Sequence, residues 1–382
     1  MKVSSFHPQG KAGLSHHRAG LSGPHGKAEL PHSPGGAGPP DGAVPPGGAG
    51  PSGVRRRAVL AGGLALGLGA VAGCSSSSTS SSSSGKSMPT LKVLAFQAPS
   101  LGAFITSVIT AKRFDTAHGV HLAFSYVTPD NYTVEFSSGQ YQVGGSSALL
   151  SEALRVERGV PITYLFNSFD FFGAVVTSDP AIHSLTDLHG HSLAAALGTT
   201  NYAMFQWFAL KAGLNLKQVT QINETTPGLS TMALTGRTDA TEIWEPAYSL
   251  VLNKKPGIRS LDMGLARWQQ TFGTSEIPYA GAAAHSAWVK ENPGGPRKLY
   301  AIWSAAAKWT MANPAAAAKI IAGSTGGDAA VYELLIKTNS LLKLHVAPSA
   351  SLTQGINAVI ESARQSGYLS ASPPASFIYK GL

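Results

Sequence analysis

The sequence contains a single cysteine, Cys74, among its 382 residues. An intrachain disulfide and a cysteine-based metal site are therefore excluded. Only 13% of the residues are charged, and no pair of carboxylates stands out as a general acid and base. The Gly-x-Ser-x-Gly motif of serine hydrolases and the Gly-x4-Gly-Lys-Ser/Thr loop of ATPases are also missing. We therefore expect a protein that is not an enzyme and that holds no cofactor and no metal ion.

The formal net charge of +9 is unevenly distributed. Residues 1–57 contribute a net +5, which leaves +4 for the remainder of the chain. That remainder has no basic stretch typical of nucleic-acid binding, so we expect no nucleic-acid partner. Residues 1–53 contain 13 glycines and 9 prolines and few large apolar side chains, a composition that predicts a disordered N-terminal extension.

Residues 54–73 have the organisation of an export signal. Arg56 and Arg57 precede an uncharged run from Ala58 to Ala72, and small residues lead up to Cys74. A basic start, a short apolar stretch and a small-residue cleavage site are typical of a secretory signal, and the run is too short for a typical membrane span. The arginine pair resembles a twin-arginine signal, although the sequence does not distinguish that route from the general one.

The segment Val71-Ala72-Gly73-Cys74 resembles a bacterial lipobox, which implies cleavage before Cys74 and acylation of its thiol. An uncleaved membrane anchor is the alternative. Residues 74–89 are dominated by serine and predict a lipidated, flexible linker. The protein is thus expected to be exported and lipid-anchored at the outer face of the cytoplasmic membrane.

The body, residues 90–382, is too long for one small core and predicts two lobes. Strands alternate with helices along it, a pattern that favours parallel sheets covered on both faces and hence an α/β fold. From about Asn292 the sequence turns helical. Predicted strands are 91–96, 121–127, 141–145, 162–169, 173–177 and 192–197, and predicted helices are 101–114, 148–158 and 200–214.

Three ordered blocks resemble the ABC-transporter substrate-binding proteins of the nitrate/sulfonate/bicarbonate (taurine-type) family. One runs from Ser184-Leu185-Thr186-Asp187-Leu188-His189-Gly190 to Gly198-Thr199-Thr200, and a second ends in Ile243-Trp244-Glu245-Pro246. The third is Tyr141-Gln142-Val143-Gly144-Gly145-Ser146-Ser147, in which Gln142 replaces the usual aspartate. Thr241 and Glu242 are more polar than the family's apolar strand.

The resemblance implies a two-lobed, type II periplasmic-binding-protein-like fold that closes by hinge bending. Lobe 1 would comprise residues 90–172 and 275–382, and lobe 2 residues 173–274. The implied partners are a small solute and the permease and ATPase subunits of an importer, and we expect a monomer.

The Gly198–Asn201 turn is a candidate site for the polar head of the solute. It follows a strand and begins a helix, so it offers free N–H groups, hydroxyls and the positive end of a helix dipole. The same residues also suit a plain helix cap. The predicted ligand-binding residues are Gln97, Ser146, Ser147, Thr199, Thr200, Asn201, Trp244 and Glu245.

The class of solute remains open from the sequence. Sulfonate, nitrate and taurine-like compounds suit such a pocket, as does a pyrimidine precursor of the thiamine type, and a surface sensor without a transport role is a further alternative. A related fold occurs in pyrimidine synthases, but those need cysteine and histidine motifs that are lacking here. A carboxylate at position 245 must be exposed, protonated, paired with a cation such as Arg267, or matched by a ligand amine.

Overall fold

The computed structural model describes residues 88–382. The predicted extension, export signal, lipidation site at Cys74 and most of the serine-rich linker lie outside these residues. The strands are β1 (Thr90–Phe96), β2 (His121–Val127), β3 (Val143–Ala148), β4 (Ile162–Asp170), β5 (Gly173–Thr177), β6 (Ser192–Ala195), β7 (Thr220–Asn223), β8 (Ala240–Trp244), β9 (Arg259–Leu261), β10 (Pro278–His285) and β11 (Leu344–Pro348).

Helices fill most of the connections between these strands. None of the helices in residues 88–382 is long and apolar enough to cross a membrane. They are α1 (Gly102–Lys112), α2 (Phe114–Ala117), α3 (Pro129–Ser137), α4 (Leu149–Glu157), α5 (Thr200–Ala212), α6 (Thr226–Thr235), α7 (Ala247–Lys254), α8 (Ala266–Phe272), α9 (Ser286–Glu291), α10 (Gly295–Ala312), α11 (Pro314–Thr325), α12 (Ala329–Thr338) and α13 (Thr353–Gln365).

The strands form two sheets, which confirms the predicted two-lobed α/β fold class. The first has the order β11-β4-β10-β3-β1-β2 and the second β7-β6-β8-β5-β9. The chain passes from the first sheet to the second between Asp170 and Gly173, and it returns between Leu261 and Pro278. The returning strand β10 enters between β3 and β4 and is antiparallel to both. Both sheets are therefore mixed, and the expectation of parallel sheets was wrong in this respect.

Each sheet has helices on both faces because successive side chains of a buried strand point in opposite directions. In β1, Val93 belongs to the apolar cluster that α1, α10, α11 and α12 form. Its neighbour Leu94 belongs to a second cluster on the opposite face, to which α3, α4 and α13 contribute. That second cluster also includes Leu193, Phe205 and Trp207 of the other lobe. The two lobes therefore share one apolar core on this side.

Several predicted elements differ in their ends. The predicted helix 101–114 is interrupted at Arg113, which adopts a left-handed conformation with φ 58°, so that α2 begins as a separate turn. The predicted strand 141–145 instead begins at Val143 and continues to Ala148, where α4 follows directly. The C-terminal part is helical as predicted, but it also contributes β11 to the first sheet.

Candidate functional site

A cleft lies between the two lobes, where carboxyl ends of strands and first turns of helices meet. It encloses a cavity of about 40 Å³. Both lobes contribute side chains, as expected for a site at the edge of α/β sheets. The lining residues are Phe96, Gln97, Ala98, Pro99, Ser100, Thr128, Pro129, Asp130, Tyr132, Thr133, Ala148, Ser151, Glu152, Arg155, Gly198, Thr199, Thr200, Thr226, Pro227, Trp244 and Tyr279.

The predicted turn before α5 reaches this cleft through Gly198, Thr199 and Thr200. Thr199 is the N-cap of α5. Its Oγ1 accepts a hydrogen bond from the Tyr202 N–H at 3.3 Å and donates one to the Ala196 carbonyl at 2.8 Å. Its hydroxyl is thus committed to local structure. The N–H group of Thr200 has no acceptor within the helix, and Thr200 lines the cleft.

The other two polar side chains of the turn connect the lobes. Thr200 Oγ1 accepts a hydrogen bond from the Ser151 N–H at 3.2 Å and lies 3.1 Å from the Ser151 hydroxyl. The Asn201 amide donates to the Tyr279 hydroxyl at 2.6 Å. Ser151 belongs to α4 and Tyr279 to β10, both in lobe 1. In this conformation the start of α5 therefore connects lobe 2 to lobe 1 by hydrogen bonds.

Ser146 and Ser147 lie behind the cleft wall and are both buried. Ser146 donates to the Gly102 carbonyl at 3.2 Å, and the Ser147 hydroxyl lies 2.7 Å from that of Tyr132. A Cβ at Gly144 would overlap the Tyr132 hydroxyl. The absence of a side chain there lets the ring approach the strand, and the ring itself lines the cleft.

Gln97 and Trp244 both line the cleft from opposite lobes. The backbone N–H of Gln97 donates to the Val127 carbonyl at 2.8 Å, which fixes the end of β1. Trp244 is only 7% exposed and packs against Ala194 and Leu229 of lobe 2. Only a small part of the Trp244 surface is therefore exposed at the cleft.

Glu245 is fully buried and is not among the lining residues. Its two carboxylate oxygens accept hydrogen bonds from the Ser249 hydroxyl at 2.8 Å and the Ser249 N–H at 3.2 Å. Burial raises the pKa of Glu245 to about 7, against the opposing effect of these bonds. Arg267, the predicted cationic partner, donates instead to the Lys211 carbonyl. The role of Glu245 in ligand binding remains a prediction.

Sequence reasoning missed a charged pair in the cleft wall, Glu152 and Arg155. Both side chains are at least 96% buried, and Arg155 Nη1 lies 2.7 Å from Glu152 Oε1. The Arg155 guanidinium carbon is 5.5 Å from the ring centres of Tyr132 and Phe136. Burial raises the pKa of Glu152, and the guanidinium opposes that rise. The available signal was a glutamate and an arginine three residues apart in α4, with the apolar residues Ala153 and Leu154 between them.

A second buried carboxyl group, Glu242, lies beneath the start of α5. It is fully buried, and neither of its oxygens has a hydrogen-bond partner. Burial raises the pKa of Glu242 to about 8. Its charge in turn contributes to the raised pKa values of Tyr202 in lobe 2 and Tyr279 in lobe 1. Glu242, one of the unusually polar residues of β8, therefore lies close enough to both lobes to affect a tyrosine in each.

The histidines of the segment 183–191 lie outside the cleft. His189 Nε2 accepts a hydrogen bond from the Asn215 N–H at 3.0 Å. Among residues 88–382, one group could hold a metal ion: Asp179, His191 and Asp239 each place a ligand atom within 4.8 Å of the others. Asp239 Oδ2 already accepts two hydrogen bonds from Ser192. This group borders a separate surface depression of lobe 2.

Comparison with known families identifies the chain. The sequence profile described as NMT1/THI5 like matches residues 114–317, more than half of the protein. The chain belongs to the NMT1/THI5-like family. The matched residues run from α2 to α11 and include all of lobe 2 and most of the cleft. Among curated protein sequences, none matches the chain significantly.

Solved structures confirm the fold that the sequence resemblance implied. The aliphatic sulphonate binding protein SsuA of Escherichia coli aligns with a TM-score of 0.59 at 15% identity, over 76% of this chain and 92% of its own. The alkanesulfonate-binding protein of Xanthomonas axonopodis pv. citri, bound to MOPS, also gives 0.59 at 15% identity, over 77% and 95%. A Candida albicans protein described as having the generic periplasmic-binding-protein fold gives 0.56 at 14% identity, over 74% and 92%.

Proposed function

We propose that this protein is the extracytoplasmic solute-binding component of an ABC importer and that it captures a small polar solute between its two lobes. The observation that carries the proposal is the interlobe cleft, in which donors and aromatic rings of both lobes surround one cavity. The family assignment and the similarity to sulfonate-binding proteins support it. Binding and release would be its whole activity, since no step of catalysis is needed.

The size of the cavity supports a cycle of opening and closing. A volume of about 40 Å³ holds roughly three water molecules. A solute of several heavy atoms therefore enters only when the lobes separate. Closure then brings the Ser151–Thr200 and Asn201–Tyr279 contacts together, so the closed form differs recognisably from the open one. A permease would recognise the closed form by this difference.

Anchoring completes the proposal. We infer that the chain is exported, cleaved before Cys74 and held by lipid at the outer face of the cytoplasmic membrane. The basis is the sequence Val71-Ala72-Gly73-Cys74 and the serine-rich stretch that follows it. A flexible tether of this kind would let a monomeric binding protein reach the permease with its ATPase subunit.

Two classes of solute are candidates for the cleft. Sulfonates, nitrate and taurine-like compounds remain the leading group, and a pyrimidine precursor of the thiamine type is the alternative. That alternative is favoured by the aromatic side chains at the cleft, which suit a flat ring: Phe96, Tyr132, Trp244 and Tyr279.

Thermal unfolding of purified full-length protein tests the proposal directly. A bound solute raises the stability of the folded state by mass action. We expect an increased Tm with at least one member of a panel of sulfonates, nitrate, bicarbonate and pyrimidines. Unchanged Tm across the panel would count against solute capture. Normal uptake of the bound solute in cells lacking the protein would instead favour a surface sensor.

A further inference from the structure

Three side chains that suit a metal ion converge at one edge of the second sheet. Asp179 follows the end of β5, His191 precedes β6 and Asp239 precedes β8. Because β5 is antiparallel to β8 and β6 is parallel to it, these three strand ends meet at the same edge. The other end of β8 is Trp244, which lines the cleft. The group is therefore separate from the proposed site of solute capture.

The separations within the group are close to those of ligands that share one ion. Each residue places a ligand atom within 4.8 Å of the other two, and His191 Nδ1 lies 3.5 Å from Asp239 Oδ2. Two ligands on one tetrahedral zinc ion, bound at about 2.0–2.2 Å, would lie roughly 3.4 Å apart. Small side-chain rotations would therefore bring all three residues onto one ion.

The two carboxylates of the group have no fixed positive charge paired with them. Among the ion pairs of residues 88–382, neither Asp179 nor Asp239 has a lysine or arginine partner. The guanidinium of Arg259 is nearby, but it donates to the backbone carbonyls of Asp179 and Ile182. Two carboxylates so close together repel each other. A divalent cation between them would remove that repulsion.

Hydrogen bonds hold both aspartates in place. The N–H and the hydroxyl of Ser192 donate to Asp239 Oδ2 at 2.7 and 2.8 Å, and the Ala181 N–H donates to Asp179 Oδ1 at 2.8 Å. The Thr177 hydroxyl donates to the Asp239 carbonyl at 2.6 Å and accepts the Asp179 N–H at 3.0 Å. A carboxylate offers about four acceptor positions, so both aspartates keep positions for an ion. Carboxylates that bind metals are themselves oriented by hydrogen bonds of this kind.

We propose that Asp179, His191 and Asp239 bind a divalent transition-metal ion such as Zn²⁺, which stabilises the adjoining strand ends of lobe 2. One imidazole with two carboxylates suits Zn²⁺ better than Ca²⁺ or Mg²⁺, which prefer oxygen ligands alone. The three residues are partly exposed, so water would complete the coordination. The expectation of no metal ion rested on the single cysteine, and this set of ligands needs none. The proposal is independent of solute capture.

Thermal unfolding of the purified, metal-free full-length chain tests the proposal. Excess Zn²⁺ should raise the Tm by about 2 °C or more, because a ligand that binds the folded state stabilises it. Addition of EDTA should reverse the rise, and Ca²⁺ should produce less than half of it. Residues 1–53 contain five histidines that also offer ligands for Zn²⁺, so variants must locate the effect.

Asp179→Asn and His191→Gln assign the effect to the proposed site. Asp179→Asn keeps an acceptor for the Ala181 N–H, and the His191 ring contributes only its contact with Asp239, so both variants should fold. Each should lose most of the rise in Tm, and calorimetric titration should show the affinity of one Zn²⁺ site reduced at least tenfold. His183→Gln changes an exposed histidine of the same lobe and is the control, which should keep the full response.

A rise in Tm that both variants lose and the control keeps supports the proposal. An unchanged or lowered Tm with Zn²⁺ overturns it. So does a rise that persists in either variant, or one that Ca²⁺ produces equally. Solute capture in the cleft stands in each of these cases, because the solute panel is measured without added metal.

Discussion

The hydroxyl of Thr200 at the start of α5 lies 3.1 Å from the hydroxyl of Ser151 in α4, and this contact joins the two lobes. Thr200 Oγ1 also accepts the Ser151 N–H. The threonine before it, Thr199, makes no such contact and caps α5 instead. Thr200 therefore contributes to lobe closure, whereas Thr199 stabilises α5.

Thr200→Val should favour the open form. The change keeps the shape of the side chain but removes the two contacts of Thr200 with Ser151, at a cost of about 1 kcal/mol or more for the unpaired Ser151 groups. Small-angle X-ray scattering would show a larger radius of gyration than in the wild type.

Thr199→Ala should lower the free energy of unfolding by about 1 kcal/mol without opening the lobes. Asp328→Ala removes the N-cap of the distant α12 and serves as the control. Equal scattering from the Thr200 and Asp328 variants would refute the assignment.

Glu242 should make the protein less stable as the pH rises. Its pKa is raised to about 8 in the folded protein from an ordinary value of 4.5, so between these values the folded state binds more protons than the unfolded state. The free energy of unfolding then falls with increasing pH, by at most about 1.4 kcal/mol per pH unit for one group. Urea titrations at pH 5, 7 and 9 would measure the decline.

Glu242→Gln should reduce the fall in the free energy of unfolding above pH 7. Glu245, whose pKa is about 7, contributes mainly to the fall below that pH. Glu361→Gln, an exposed residue paired with Arg364, is the control and should leave the slope unchanged. A wild-type slope retained in the Glu242 variant would mean that other groups cause the pH dependence.

Glu245→Gln should alter stability but not solute preference. Its carboxyl group accepts two hydrogen bonds from Ser249, so a neutral amide changes the local bonding and removes a group whose pKa is about 7. We expect the pH dependence between 4.5 and 7 to weaken and the affinity for an amine-bearing solute to stay within threefold. A tenfold loss of that affinity would restore the hypothesis drawn from the sequence, that Glu245 receives a ligand amine.

The sequence predicted the position of the cleft better than its chemistry. Strand-to-helix junctions mark sheet edges, and Thr199, Thr200, Gln97 and Trp244 accordingly line the cleft. The strand 173–177 was predicted with its observed ends because glycine and a polar turn bound an apolar run.

What could not be predicted depends on packing between distant segments. Glu152 and Arg155 are buried because α4 packs against other segments, and Arg155 contacts Tyr132, Phe136 and Ser137 of α3. Local periodicity carries no information about that packing. The same holds for Ser146 and Ser147, which the sequence placed at a strand end but which α1 and Tyr132 cover.

Cys74→Ser should prevent membrane anchoring. Acylation requires the thiol, so the variant should appear in the soluble extracytoplasmic fraction or accumulate as the uncleaved precursor. Fractionation with metabolic labelling by a fatty acid would distinguish these outcomes. Ser77→Ala, in the same serine-rich stretch, is the control and should remain labelled. A normally processed and fully membrane-bound Cys74 variant would contradict the lipobox.

The contact between α5 and α13 determines whether lobe 2 can exist as a separate module. The Trp207 indole of α5 donates to Gln365 of α13 at 3.0 Å, and the Ser362 hydroxyl lies 3.8 Å from the Met204 sulfur. Residues 173–274 excised from the chain would lose α13 and expose the buried faces of Met204 and Trp207 to water. Such a fragment would aggregate rather than fold, and a swap of lobe 2 between related proteins would have to carry α13 with it.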